Sequence, residues 1–546
     1  MLPLGNRRME LRMASMDKSF VSDFYKDKDI FITGATGFMG KVLLEKLLRS
    51  CGGLRRIFVL MRAKGGASPQ ARLDELLDTE IFQAVRSSNA HFARGKVIPV
   101  EGDLTLPELG LSADHRRALL DNVELVFHSA AIVKFDEPLK SSIDMNVLGT
   151  RRLLQLCQGM SKLKAFVHVS TAYCNCDKEE VAEVIYPPPF DPQNVIDAVS
   201  WMDDALVEAI TPKLLGSRPN MYTFTKALAE SLLAEEKGSI PVAIVRPSIV
   251  TAAWQEPIPG WIDNINGPTG LLVASGKGLL RSMVADTEKA ADFVPVDVVI
   301  NTMIIVAWHT AMYRPDKVAV YHVASGTLRK LTWGDIETIA YPLLLWHPMP
   351  HAVRHPGGSF KKSRCLNALS MFFEHRCPAV FFDAYLWLSG RKPKMLRLFN
   401  KLYKVMVSLE YFTTHEWRFH CNNLLALLQE VSPADRKTFC ADLRLLDWGN
   451  YFKDYVVGTR KFVLKEDPST VPEGRSALRR LYIYQQLLYA ALIALTWRLI
   501  MLKSKSACRL WHGLVSLFLP LLSLVSSALG LPYPDDAAPS PAGGNS

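Results

Sequence analysis

The chain has no stretch in which basic residues alternate with aromatics, although its net charge is +10 over 546 residues. Nucleic acid is therefore a poor match for the excess charge, and no nucleic-acid partner is expected. An anionic nucleotide or an anionic lipid surface fits better. Cysteine is scarce: nine are scattered without the spacing of a disulfide framework. Cys174 and Cys176 have no second pair to complete a zinc set, so no metal is expected. Reduced thiols in the cytosol fit this usage. The first residues carry Arg and Met but no long apolar core, which excludes a signal peptide. Residues 1–25 read as a mobile leader. There is no internal repeat, and the oligomeric state stays unknown from sequence.

What is present is globular in composition, with 49% hydrophobic and 22% charged residues, and long enough for more than one structural unit. Short apolar runs rich in β-branched residues recur at 30–33, 56–61, 96–100, 123–128, 165–170 and 242–246. They read as buried strands. Amphipathic stretches at 42–48, 71–82 and 148–157 alternate with them as helices. This rhythm predicts an α/β fold, a Rossmann-type doubly wound parallel sheet with ligands at the carboxyl ends of its strands. Beyond 250 the rhythm changes. Residues 257–269 read as a loop, and 291–299 and 318–324 resume a strand-like pattern. A stretch rich in Pro, His and Gly at 342–362 predicts a boundary. The expected domains are a dinucleotide-binding and catalytic domain at 26–345 and a helical domain at 360–465.

The first strand runs into Thr33-Gly34-Ala35-Thr36-Gly37-Phe38-Met39-Gly40-Lys41. In this spacing Gly34 permits the strand-to-helix turn. Gly37 lets the backbone approach a pyrophosphate, and Gly40 lets the helix pack on the sheet. The helix N-terminus then faces the phosphates. Thr33, Gly34, Thr36, Gly37, Phe38, Met39 and Gly40 are the candidate cradle. An acidic residue is missing at the end of the second strand, where an NAD enzyme holds the ribose diol. Met61-Arg62-Ala63-Lys64 stands there instead. Arg62, and less surely Lys64, suit a 2′-phosphate, which favours NADPH. Asp103 and Leu104 follow the third strand, with the carboxylate placed to accept from the adenine amine. Ala130 follows the fourth, where small residues let the cofactor pass.

Tyr222 and Lys226 are four residues apart, on one face of a helix. A nearby ammonium lowers a phenol's pKa, and Lys226 can also hold the nicotinamide ribose. Tyr222 can then protonate a carbonyl oxygen as hydride reaches its carbon. A hydroxyl after the fifth strand should orient that oxygen: Thr171 is preferred, with Ser170 as the alternative. His168 reads as a packed core residue rather than a base.

Residues 479–533 hold two apolar segments, 481–502 and 510–531, before a tail at 534–546. Each is long enough to cross a bilayer. Lys503, Lys505 and Arg509 join them. If only the second spans, those cations face the cytosol; if both span as a hairpin, the tail returns there. Arg498 inside the first favours a core or interfacial helix for that segment.

With these motifs in place, the chain resembles extended short-chain dehydrogenases. More closely, it resembles alcohol-forming fatty acyl-CoA reductases of the insect and plant type. The matches are 33–41, 169–173, 222–226, Arg246-Pro247-Ser248 and, most specifically, Pro259-Gly260-Trp261-Ile262-Asp263-Asn264. The likeness runs from about residue 23 to the apolar C-terminus. It implies reduction of a long-chain acyl-CoA to a primary alcohol and CoA with two NADPH, through a bound aldehyde, with Tyr222 as proton donor. It also implies a helical C-terminal domain and a membrane-bound protein. The expected setting is the endoplasmic reticulum or peroxisomal membrane, with the catalytic domain facing the cytosol. The alternatives are a membrane-bound dehydrogenase of a sterol-like carbonyl, a sugar-nucleotide enzyme, and a scaffold that binds a dinucleotide without catalysis.

Overall fold

Seven apolar runs become the strands of a single sheet in a computed structural model of the chain. It describes residues 19–504, 509–511, 513 and 516, apart from the side chains of 88–93. Of the leader expected at 1–25, residues 1–18 lie outside the described residues, as do nearly all of the 510–531 segment and the 534–546 tail. The last part of that leader needs correction: Phe20–Phe24 is a helix, with Val21 and Tyr25 buried and Tyr25 Oη donating to Ile304 O at 2.8 Å, so the apolar core holds it in place. The strands are β1 (Asp29–Thr33), β2 (Arg56–Met61), β3 (Val97–Glu101), β4 (Leu125–His128), β5 (Ala165–Val169), β6 (Val242–Pro247) and β7 (Ala319–Val323). Their order is β7-β6-β5-β4-β1-β2-β3. Every neighbouring pair is parallel. Burial on both faces explains why these strands read as continuous apolar runs rather than alternating ones. The order reverses between β1 and β4, so the ligand crevice is expected outside their carboxyl ends.

Helices cover both faces. On one side lie α1 (Phe38–Ser50) and, further along the chain, α5 (Val296–Tyr313). On the other lie α2 (Gly149–Gln158) and α3 (Met221–Glu236). The helix α4 (Pro268–Gly276) precedes α5, and α6 (Trp333–Trp346), α7 (Arg364–Ser370), α8 (Cys377–Leu388), α9 (Met395–Thr414), α10 (Trp448–Gly458) and α11 (Val471–Lys503) follow it.

The strand-like reading of 291–299 needs correction. Only Phe293–Pro295 is a strand, paired in parallel with Ile249–Thr251. Val296 opens α5, whose residues are buried almost continuously. A helix surrounded by core shows no polar face, so its sequence carries no period of 3.6 to separate it from a buried strand. The same helix is long and apolar enough to cross a membrane, but it is mostly buried inside the protein.

Residues up to Arg475 form one compact unit. Leu424, Phe439, Trp448, Tyr451 and Phe452 share a buried cluster with α1 and α5. The stretch 342–362 lies inside this unit. Pro342 falls within α6, and Ser359–Lys361 pairs in parallel with Ser282–Val284. Polar contacts bind the same regions: Asn301 Nδ2 on α5 donates to Cys440 O at 2.9 Å, and Lys46 Nζ on α1 donates to Thr438 O at 2.5 Å. The second unit begins at Ser476. The helical stretch Pro468–Lys503 is long and apolar enough to cross a membrane, and none of its apolar window is buried.

One backbone contact is closer than side chains allow. Gly260, at φ +74°, and Gly458 on α10 meet face to face. A Cβ added at Gly458 would come 1.9 Å from Gly260 O, and one at Gly260 would come 2.0 Å from Asp454 O. Gly458→Ala should therefore push α10 off the loop. The expected cost is about 1–3 kcal/mol, read as a lower thermal midpoint. Gly449→Ala on the same helix meets only ordinary contacts and should leave the midpoint unchanged or raised.

Candidate active site

The turn after β1 is built for close approach. Gly34 adopts φ +79°, and a Cβ there would sit 2.7 Å from Ala130 N. A Cβ on Gly40 would sit 2.1 Å from Gly34 O. Gly37 is the extended N-cap of α1 and offers no side-chain cap. The amides of Phe38, Met39 and Gly40, which have no intrahelical acceptor, are thus left for an anion. Thr36 and Gly37 are exposed beside them. This cradle fits a dinucleotide pyrophosphate.

The 259–264 segment lies over that turn. The Trp261 ring stacks on Phe38 with centroids 5.6 Å apart, and Lys41 Nζ meets Asp263 Oδ2 at 2.8 Å. At the end of β2, Arg62 is exposed, with Nη1 3.4 Å from Asp103 Oδ2, and Lys64 is exposed as well. Arg72 donates to the Arg62 carbonyl and adds a third cation that sequence reading did not single out. Burial works to raise the Asp103 pKa. Hydrogen bonds from Thr105 N and Oγ1, with Arg62, outweigh it and hold the carboxyl below its ordinary range. Leu104 is different: its side chain is buried in the cluster under α2. Only its backbone is left for a cofactor contact.

Between the glycine turn and α3 runs a polar ladder. Thr33 Oγ1 lies 2.7 Å from His128 Nδ1, and His128 Nε2 lies 2.9 Å from Thr150 Oγ1. The Thr150 hydroxyl donates to Asn146 O, so it accepts from Nε2–H, and Nδ1 accepts from Thr33. Burial, then the nearby Lys226, pushes the His128 pKa down to about 3 and keeps the ring neutral. His168 is also held neutral by burial and by Lys226; it is a core residue whose ring nitrogens have no hydrogen-bond partner among the described residues. Asn146 ties the loop after β4 to α3: its side chain exchanges hydrogen bonds with Ile132 N and O and donates to Thr225 Oγ1 at 3.0 Å.

Asn220 caps the start of α3 through Thr223 N, which sets Tyr222 in the first turn and Lys226 one turn on. Lys226 is buried, and Nζ donates to Val169 O at 2.7 Å. That carbonyl immediately precedes the two candidate hydroxyls. Thr171 caps the short turn Ala172–Asn175 by accepting from Tyr173 N at 3.2 Å, and Ser170 is buried beside the Glu230 carboxylate. Helix α3 packs on that turn. Both hydroxyls therefore stand by the Tyr–Lys helix.

The electrostatics differ from the sequence expectation. Burial, and then the nearby Cys174, raises the Tyr222 pKa, while Lys226 Nζ is bonded to the Val169 carbonyl. Tyr222 is thus a protonated donor. Burial pushes the Lys226 pKa down to about 8, against the opposing pull of Glu230. Glu230 continues the same helix face at the next four-residue step, a spacing readable in the sequence. It binds Arg246 of β6 through Oε1 at 2.8 Å and Oε2 at 2.5 Å. Cys174 donates to Glu230 Oε1 at 3.4 Å, which gives that thiol a structural part.

Known proteins are similar to this chain in sequence. Residues 32–303 match an NAD-binding family model described as "Male sterility protein", and residues 374–466 match a second model of the same description. Fatty acyl-CoA reductase 1 of Mus musculus is 42% identical over 513 residues, covering 94% of this chain and 99% of that one. Fatty acyl-CoA reductase 2 of Mus musculus is 43% identical over 500 residues, covering 91% and 96%. The fold alone is shared with the reductase (R) domain of a non-ribosomal peptide synthetase from Mycobacterium tuberculosis. That likeness has a TM-score of 0.52 at 19% identity and covers 80% of this chain and 92% of that one. Identity at this level, carried through both the sheet and the helices that close over it, places the chain in the fatty acyl-CoA reductase family.

Proposed function

We propose that the protein reduces long-chain fatty acyl-CoA to a primary alcohol and CoA, using two NADPH and holding the aldehyde between the two reductions. The observation that carries this reading is a buried Lys226 and a protonated Tyr222 on one helix beside a glycine cradle. They stand in a chain 42% identical to a fatty acyl-CoA reductase over nearly its whole length. The glycine cradle would hold the pyrophosphate of a nicotinamide dinucleotide, which when bound would supply the hydride. Tyr222 donates its proton to the carbonyl oxygen, and the Lys226 ammonium stabilises the phenolate left behind. Thr171, or Ser170, holds the oxygen in line. Loss of the CoA thiol leaves the aldehyde, and the same residues serve its reduction.

An apolar cavity supports a lipid substrate. Its volume is about 850 Å³ including its open mouth, and Leu271, Leu272, Met283, Phe293, Trp333 and Phe452 are among its lining. Phe293 belongs to the strand paired with Ile249–Thr251, which continues β6 past the carboxyl edge of the sheet. The exposed apolar stretch within Pro468–Lys503 supports membrane association.

Cells expressing the chain and fed acyl precursors of several lengths should gain fatty alcohols. Tyr222→Phe should cut the rate by about a hundredfold or more while leaving NADPH binding intact. Full turnover in that variant sinks the assigned role, and free aldehyde as the end product sinks the second reduction. Arg62→Ala should raise KM for NADPH by about tenfold, the effect of one lost charge-assisted hydrogen bond of ~1.4 kcal/mol, and leave KM for NADH in place. Lys226 is charged below its pKa of about 8 and neutral above it, so kcat at saturating NADPH should fall as pH rises through that value. Lys226→Arg, which keeps its charge, should move the falling limb upward; an unmoved limb assigns it to another group.

A further inference from the structure

Helices α7 and α8 turn large apolar side chains to solvent. Phe381 is 76% exposed, Trp387 70% and Leu388 77%, and Leu366, Leu369 and Phe373 are exposed on the preceding turns. A soluble surface rarely groups so many together. The charges around them are mostly basic, and the nearby carboxylates Glu374 and Glu410 are paired with Arg281 and Arg364. Residues 376–409 contain seven cations and a single acid, Asp383. Asp383 is buried and spent on the start of α9, accepting from Lys394 N, Met395 N and Leu396 N. Arg391, Lys392, Lys394, Lys401 and Lys404 are exposed and have no carboxylate partner among the described residues.

We infer that this face of the catalytic unit docks on a lipid surface bearing anionic headgroups. Aromatic and leucine side chains sink into the headgroup boundary, and the cations around them reach the phosphates. That distribution is the one an interfacial helix requires. A second copy is a worse occupant: a twofold contact of the face with itself would set its cations against one another. The surface belongs to the unit up to Arg475, which would thus carry its own contact with the bilayer.

The docked face adjoins the apolar cavity. Ser282 Oγ donates to Asn367 Oδ1 on α7 at 2.7 Å, and Arg281 Nε meets Glu374 Oε2 at 2.7 Å. Arg281 and Ser282 both line the cavity. Docking would bring the cavity wall to the bilayer surface. This last step rests on the proposed lipid substrate, whereas the docking itself does not.

The test uses the full chain with Cys365, Cys377, Cys440 and Cys508 replaced by serine. Leu388→Cys carries an environment-sensitive fluorophore. Met312→Cys, exposed at the far end of α5, is the control. Each protein is reconstituted in phosphatidylcholine vesicles with and without phosphatidylserine, and with a quencher attached to the lipid acyl chain. The label at 388 should be quenched at least about twofold more than the label at 312, most strongly with phosphatidylserine. Joint Arg391→Glu, Lys392→Glu and Lys394→Glu should remove that difference while NADPH binding shows the chain is folded. Equal quenching at both positions overturns the proposal. So does a shielded label at 388 that lipid does not quench, which gives the face to a protein partner or a second copy. Quenching that ignores phosphatidylserine and the charge reversal overturns the anionic headgroups. None of these readings needs turnover, so a failure here is distinct from a failure of the proposed reaction.

Discussion

Arg246 and Glu230 meet out of reach of water, with 0% and 4% of their side chains exposed, and through them β6 grips the helix that carries Tyr222 and Lys226. The guanidinium also donates to Val184 O and Ala182 O, so it fixes the segment after the Ala172–Asn175 turn as well. A buried pair of this kind adds little net stability against an apolar pair of the same volume. Removing one partner is another matter, at roughly 3–5 kcal/mol, because the other charge is stranded. What the pair supplies is aim. An apolar contact would let α3 rotate or slide, whereas two directed bonds to one carboxylate set the azimuth of the helix. That azimuth decides whether Lys226 reaches the Val169 carbonyl.

The cofactor side is aligned to the same helix by neutral groups. His128, stripped of charge by burial, passes hydrogen bonds from Thr33 to Thr150, and Asn146 passes them from the β4 loop to Thr225. A charged imidazole here would compete with Lys226. Keeping the ladder neutral leaves Lys226 as the local positive charge beside Tyr222, with Glu230 tied up by Arg246. The division of labour is physical: one ion pair holds the frame, neutral bonds transmit its geometry, and the remaining ammonium, anchored on the Val169 carbonyl, supplies the local positive charge.

The sheet was legible because its strands are short, apolar and bounded by glycine or polar residues. The parallel order followed from the helices between them. The glycine turn and the Tyr–Lys spacing were legible for the same reason, since both are local in sequence. The residues that join them are not local. Asn146 has no pattern of its own, and its part appears only when Ile132 and Thr225 are brought to it. Glu230 was within reach, standing one more turn along the face of Tyr222 and Lys226, but its partner lies sixteen residues on, in a strand. The helix at Val296–Tyr313 was read partly as strand because a fully enclosed helix has no polar face to betray its period. The Tyr222 pKa was misjudged in direction, because charge proximity was weighed without the desolvation that accompanies it.

The contact between Gly260 and Gly458 has a bearing on how such a chain can change over generations. Two backbones nearly two hundred residues apart are fitted with no atom to spare. A recombination event with a crossover between them would join a loop from one ancestor to a helix from another. Any small difference in their paths would be felt at once, with no side chain to trim in compensation. The stretch from the cofactor roof to α10 is therefore best inherited whole. Novelty would enter instead at solvent-facing positions where neighbours are few.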